Sequence, residues 1–422
     1  MKHERRLAAG IFLLALVPRL LFALAPHPPP FSDMEDYDRT AVNFLMGNGL
    51  AMSPEYRAYR PPGYPVFLAL LYAIVGHNLV VVRVIQASLS AGSCVLLYEL
   101  ARYLLADEDQ RWIRIGVPVL AGLALALYEP NIFLSGVILT ETLFIFLLLL
   151  FLVILCGPLS ERRLSRFAAP VLLGVLSLVR PVGVTYIPAL LAASTVWPWR
   201  LRREVCRIAL SLVLFLLPLI PWTIRNARVV HAIVPLSTNA GVNFYIGHHP
   251  GYSYWSTGGK ETIRAQTDLD EVAENRLFFQ LGFKYILDQP GQAVIDTCKK
   301  VEYLLRPGIP PWPMGDHGYD LVLSVFPGLR AFLFQWNWFF LALLPMGVIL
   351  AWVRLPKGRP MLILAACHVT ATLCFFARSR FRAPLEPLFL LWISLALAEG
   401  LAWAAHRTGK NKPPTRLEGN AG

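Results

Sequence analysis

Apolar runs close to the length of a bilayer crossing follow one another along almost the whole chain, and short breaks between them carry much of its charge. A helix needs about 20 predominantly apolar residues to span, with tilt and breaks allowed. On that measure the pattern predicts ten transmembrane helices, at roughly 8–25, 79–104, 113–133, 137–157, 167–180, 183–199, 205–222, 331–353, 360–377 and 385–405. The first run has a basic lead and an "ALA" that imitates a signal-peptide cleavage site, but Pro18 and Arg19 interrupt its core. It reads as a retained first helix.

Two long segments break the alternation, 26–78 and about 223–330. In the first, "SDMEDYDRTAVNFLM" has Ser32 and Glu35 at capping-box spacing, with Tyr37, Ala41, Phe44 and Leu45 on one helical face. This predicts an amphipathic helix on the membrane surface. "GNG" at 47–49 ends it, and "PPGYPVFLALLYAIVG" starts a second short helix with prolines at its N-terminus. The second segment mixes turn signals with a helical stretch near 270–305 and reads as a small folded cap. The expected organisation is an N-terminal membrane module over 1–222, the loop domain over 223–330, C-terminal membrane helices over 331–406 and a disordered basic tail over 407–422.

Composition agrees with the pattern. Of 422 residues 56% are hydrophobic and 16% charged, and the mean hydropathy is +0.51, which makes the chain an all-α polytopic membrane protein. The net charge of +12 would suggest nucleic acid in a soluble protein. Here much of it sits in short loops on one side of the predicted bundle, from Lys2, Arg5 and Arg6 through Arg162, Arg163 and Arg166 to Arg354, Lys357 and Arg359. By the positive-inside rule that side is cytoplasmic, both termini lie inside, and the two long segments lie outside. Nucleic acid is excluded as a partner. The six cysteines have no disulfide or zinc spacing.

The topology makes the remaining arginines anomalous. Short outer loops should be poor in basic residues, yet they hold Arg180, Arg378, Arg380 and Arg382, with Arg60, Arg83, Arg225 and Arg228 at loop borders. Arginine stays charged when partly desolvated and grips phosphate bidentately. Snorkelling to head groups is the bland reading of any one of them. Arg180 follows a segment too short to cross, which places it at membrane depth, facing protein or a cavity. Asp33, Glu35, Asp36 and Asp38 cluster at the outer end of the first helix. Such acids can serve as a general base for a hydroxyl or hold a divalent metal; each also has a structural reading as a cap, a dipole partner or a solvated charge. Glu141, at the outer start of an apolar helix, needs a partner, either an arginine or substrate. His248 and His249 are poorly spaced for a metal, and the aromatic residues around them either stack on a sugar or anchor the loop.

The order of "FSDMEDYDRTAVNFLMGNGL", "YRPPGYPVFLALLYAIVG", "VVRVIQASLSAG", "ILTETLFIF", "LVRPVG", "PWTIRN" with "STNAGVNFYIGHHPG", and "RFRAPLEP" resembles the GT-C glycosyltransferases of the protein O-mannosyltransferase and lipid A aminoarabinose transferase superfamily, over residues 5–400 or so. The resemblance implies a sugar moved from a polyprenyl-phosphate donor to a lipid, glycan or protein acceptor on the outer face. It also implies Asp33 as catalytic base with Tyr37 nearby, and Arg60 as a donor-phosphate contact, with Arg180, Arg225, Arg380 and Arg382 near the same cavity. Many members have Asp-Glu where this chain has Asp33-Met34, so a second carboxylate would come from Glu35 or Asp36. Tyr64, Arg83, Glu141 and His248 complete the expected substrate contacts. No cofactor is required, and metal is optional. A flippase for polyprenyl-linked sugars and an O-antigen ligase or polymerase are the competing readings; the paired inverted halves common in transporters are not evident.

Overall fold

The computed structural model describes residues 2–194, 201–306 and 327–407. The end of the expected outer loop, 307–326, and the expected disordered tail, 408–422, lie outside the described residues. The described chain is helical: α1 Lys2–Leu24, α2 Asp33–Leu45, α3 Gly63–Val75, α4 Leu79–Leu104, α5 Arg111–Leu127, α6 Glu129–Gly136, α7 Glu141–Leu155, α8 Ser165–Val179, α9 Ile187–Ser194, α10 Leu201–Leu216, α11 Leu219–Val229, α12 Ala240–Ile246, α13 Lys260–Gln266, α14 Glu271–Asp288, α15 Pro290–Leu305, α16 Pro327–Arg354, α17 Arg359–Cys374 and α18 Glu386–Arg407. Short 3-10 turns at Pro181–Tyr186 and Ser379–Leu385 lead into α9 and α18.

Against the ten expected spans, three described helices are long and apolar enough to cross a membrane, or up to six if each bent pair counts as one. The bent pairs are α5 with α6 at 50°, α10 with α11 at 51°, and α16 with α17 at 110°. The α5–α6 bend exposes carbonyls that water cannot reach inside a bilayer. Arg19 of α1 satisfies them. It is fully buried and donates to Leu125 O at 3.0 Å, Ala126 O at 2.7 Å and Ser90 Oγ at 2.7 Å. The arginine that seemed to interrupt α1 therefore closes the broken end of α5, a cation at a helix C-terminus.

One large apolar core joins α1, α4, α5, α7, α8 and α18. Two expectations fail locally. Ser32 has a positive φ of 52° and makes no side-chain cap bond, while Glu35 pairs with Arg39 on the exposed face; the capping box does not form. "RSRFRAP" is also not a loop, since Ser379–Leu385 is helical and continues directly into α18.

Outside the main core, α12 packs on α14 through Val242, Ile246 and Phe278. The helical stretch expected near 270–305 is two helices, broken where Pro290 cannot continue α14. This domain docks on the first long segment through Glu271, whose carboxylate accepts from Arg57 N, Ala58 N and Thr238 Oγ1 at 2.7 to 3.0 Å.

Candidate active site

Asp33 and Asp36 are three residues apart in the first turn of α2, hence on one face. Arg60 reaches them from the segment before α3. It donates from Nη2 to Asp33 Oδ1 at 2.6 Å and to Asp36 Oδ2 at 2.6 Å, with Nε 3.1 Å from the latter. Pro61 and Pro62 stiffen this approach. At Gly63 a Cβ would lie 2.8 Å from the backbone carbonyl of Leu178, so glycine lets the start of α3 press against the end of α8 and brings Arg60 toward Arg180.

The other side of the cluster comes from α7, α8 and the turn before α18. Arg380 Nη2 donates to Asp33 Oδ2 at 2.9 Å, and its Nε lies 3.3 Å from Glu141 Oε1. Arg180, in extended backbone where α8 ends, forms an ion pair with the same Glu141 oxygen, Nη1 at 2.7 Å, and donates from Nη1 to Thr140 Oγ1 at 2.9 Å. The result is one chain of alternating charge: Asp36, Arg60, Asp33, Arg380, Glu141, Arg180. Three guanidiniums face three carboxylates. The Glu141 side chain is 1% exposed, whereas Asp33 keeps 24%, so the network is sealed at one end and open at the other. Burial opposes ionisation of Asp33, but the Arg60 and Arg380 guanidiniums overcome it and hold its carboxyl well below the usual carboxylate range.

Aromatic rings line the floor. Arg60 lies over Tyr37 at 5.3 Å and Tyr59 at 5.4 Å. Tyr37 meets Tyr64 edge-on at 5.2 Å, and Tyr64 OH donates to Gln86 Oε1 at 2.7 Å. Tyr59 is held by Arg264 of α13, which also pairs with Glu274 at 2.8 Å.

Other expected site residues lie elsewhere. Arg382 is buried and committed to Glu386 at 3.2 Å and to the carbonyls of Leu304 and Arg306; with Tyr128 and Glu386 it forms the polar end of a cleft walled by Leu341, Leu344 and Phe389. Arg225 donates to the carbonyls of Arg57 and Leu50 at 2.7 and 3.0 Å, which ties down the first long segment. Arg83 is 8% exposed at the start of α4 and makes no hydrogen bond or ion pair among the described residues. His248, just after α12, accepts from Lys300 Nζ of α15 at 3.0 Å. Asp38 accepts from Tyr72 OH at 2.5 Å and contacts His77 at 2.8 Å.

Sequence reasoning missed Thr140, Gln86 and Tyr59. A polar Gln86 within an apolar helix was the clearest available signal. Among the described residues no three His, Cys, Asp or Glu side chains gather as a metal site requires; the carboxylates of the cluster point at guanidiniums instead.

No family model matches the sequence, and no curated protein matches it. Solved structures do. The archaeal oligosaccharyltransferase AglB from Archaeoglobus fulgidus, in complex with an inhibitory peptide and a dolichol-phosphate, is 13% identical over 98% of this chain and 52% of that one, with a TM-score of 0.49. The Archaeoglobus fulgidus oligosaccharyltransferase tethered with an acceptor peptide containing the NVT sequon is 13% identical over 96% and 51%, with a TM-score of 0.50. ArnT from Cupriavidus metallidurans bound to undecaprenyl phosphate is 16% identical over 96% and 81%, with a TM-score of 0.41. The chain spans about half the length of the oligosaccharyltransferases. At this identity the likeness to the second of these structures speaks for the fold alone.

Proposed function

We propose that this chain is an integral-membrane inverting glycosyltransferase, which moves a sugar from a polyprenyl-phosphate donor to a hydroxyl of a lipid, glycan or protein acceptor on the outer face of the membrane. The observation that carries this reading is the convergence of Arg60, Arg180 and Arg380 on Asp33, Asp36 and Glu141 from five separate parts of the chain. A lipid-linked donor needs cations for its phosphate at the membrane boundary and a carboxylate within reach of the acceptor. Phosphate is a good leaving group, and guanidiniums that stabilise its growing charge replace a general acid. Asp33, with its part-exposed carboxylate, takes the acceptor proton as the oxygen attacks the anomeric carbon. A single displacement inverts that centre. Arg225 and Arg382, whose donors are spent on backbone carbonyls, act in the fold.

The basic residues gathered on the opposite side of the bundle support cytoplasmic termini and an outward site. In vesicles carrying a polyprenyl-phosphate-sugar donor, Asp33→Asn should abolish transfer while donor binding persists. Arg380→Ala should raise the apparent donor KM. Turnover by Asp33→Asn at the native rate would remove the assignment of the base; an unchanged donor KM in Arg380→Ala would remove the phosphate site.

A further inference from the structure

Asp33 sits where a phosphate should. Its two carboxylate oxygens each hold one guanidinium, Arg60 at 2.6 Å on one side and Arg380 at 2.9 Å on the other. The two non-bridging oxygens of a phosphodiester would meet the same pair of forks in the same way. Each arginine also keeps a second acid, Arg60 with Asp36 at 2.6 Å and Arg380 with Glu141 at 3.3 Å. Losing Asp33 therefore strands neither cation. A carboxylate clamped between two arginines is, however, a poor base, because both ion pairs must weaken before it accepts a proton.

We infer that the donor phosphodiester displaces Asp33 from between Arg60 and Arg380, and that this exchange is what frees Asp33 to act as the base. The inference rests on the glycosyltransferase reading of the site. Before donor binds, the arginines hold Asp33 ionised and inert. Once the phosphodiester takes them, the charged and titratable groups that still act on Asp33 include Arg378 and Tyr37, with Asp36 in the same helical turn, and its basicity rises beside the new negative charge. The acceptor hydroxyl then gives its proton to Asp33, its oxygen bonds to the anomeric carbon, and the bond from that carbon to the phosphate oxygen breaks. The electron pair stays on the polyprenyl phosphate, whose added charge falls on Arg60 and Arg380. Departure of that lipid and loss of the proton to water return Asp33 to its clamp.

The test compares undecaprenyl phosphate binding to the full-length protein in detergent, for the native chain, Asp33→Asn and Asp36→Asn. Both variants remove one negative charge beside Arg60, but only Asp33 occupies the phosphate position. The exchange predicts that Asp33→Asn binds the lipid phosphate at least about tenfold tighter than the native chain, with Asp36→Asn changing it much less. It also predicts an acid limb in kcat that lies at least about one pH unit above that in kcat/KM, since the first reports the donor complex and the second the free enzyme. Equal tightening by the two variants together with coincident limbs overturns the exchange while leaving the transferase reading intact. Absence of lipid-phosphate binding in all three chains overturns both, whereas sugar transfer by Asp33→Asn at the native rate overturns the exchange and the assignment of the base but not the transferase reading.

Discussion

At the scale of single residues, Glu141 is the keystone of the charged network. It is the sealed end, and one oxygen serves both Arg180 at 2.7 Å and Arg380 at 3.3 Å. Removing one partner of a buried pair usually costs about 3 to 5 kcal/mol, because a charge is left uncompensated. Here the two arginines remain about one-seventh exposed, with side-chain exposures of 15% and 14%, so the expected cost of Glu141→Gln is on the order of 2 kcal/mol. Thermal unfolding in detergent should register it as a lowered Tm, and donor affinity should weaken as Arg180 and Arg380 lose their orientation. A Glu141→Gln protein with native Tm and native donor KM would show that the pair does not hold the arginines. Sequence alone identified the carboxylate as needing a partner, since an acid at the head of an apolar helix is costly. It left open whether that partner was an arginine or a substrate group, because a partner 39 residues away in Arg180 or more than 200 away in Arg380 leaves no local periodicity to detect.

At the scale of elements, α12 to α15 and the turns between them hold the segment that presents Arg380. Gly247 packs against the carbonyl of Phe375 with no room for a Cβ. Lys300 Nζ donates to Leu373 O at 3.1 Å, and Tyr254 OH meets Ser379 Oγ at 3.1 Å. His248 lies inside this clamp, where burial, then the neighbouring Lys300, pushes its imidazole down to about 4; Asp296 opposes that shift and His249 adds to it. An unfolded histidine takes its proton near pH 6.5, so between about pH 4 and 6.5 the unfolded chain binds more protons and stability rises with pH. The expected gain across that window is on the order of 3 kcal/mol. Unfolding of the native chain and His248→Gln at matched pH values isolates it, because other carboxylates titrate in both. Parallel curves for the two would mean that His248 is not buried as a neutral base. The "HH" pair and its aromatic neighbours were visible as an anomaly in the sequence, yet the choice between sugar stacking and loop anchoring had no local answer; in the fold Tyr252 and Tyr254 pack with Tyr303 as a small buried core.

At the scale of the whole molecule, the site depends on which side of the membrane the two long segments occupy. With the exposed native Cys206, Cys298 and Cys374 replaced by serine, single cysteines at the exposed positions Glu55 and Ser253 should react with a membrane-impermeant maleimide added to intact cells, while one at the exposed Arg163 should react only after permeabilisation. The reverse pattern would invert the orientation drawn from the basic loops and move the site to the inner face.

The sequence by itself determined the membrane class, the helical fold type and the set of arginines that break the loop-charge pattern, set against the acids that open the first long segment. Hydropathy and loop charge are summed over many residues, so they survive without any knowledge of contacts. Only the tertiary structure decided which charges meet. Asp33, Asp36 and Tyr37 share a helix face and were legible as a group, but Arg60, Glu141, Arg180 and Arg380 reach them from four other places in the chain. The same packing sends Arg225 and Arg382 to backbone carbonyls instead, and it turns Arg19 from a flaw in an apolar helix into the cap of a broken one. An arginine in apolar surroundings must find an acceptor. Composition says that it must, and only the folded chain says which one.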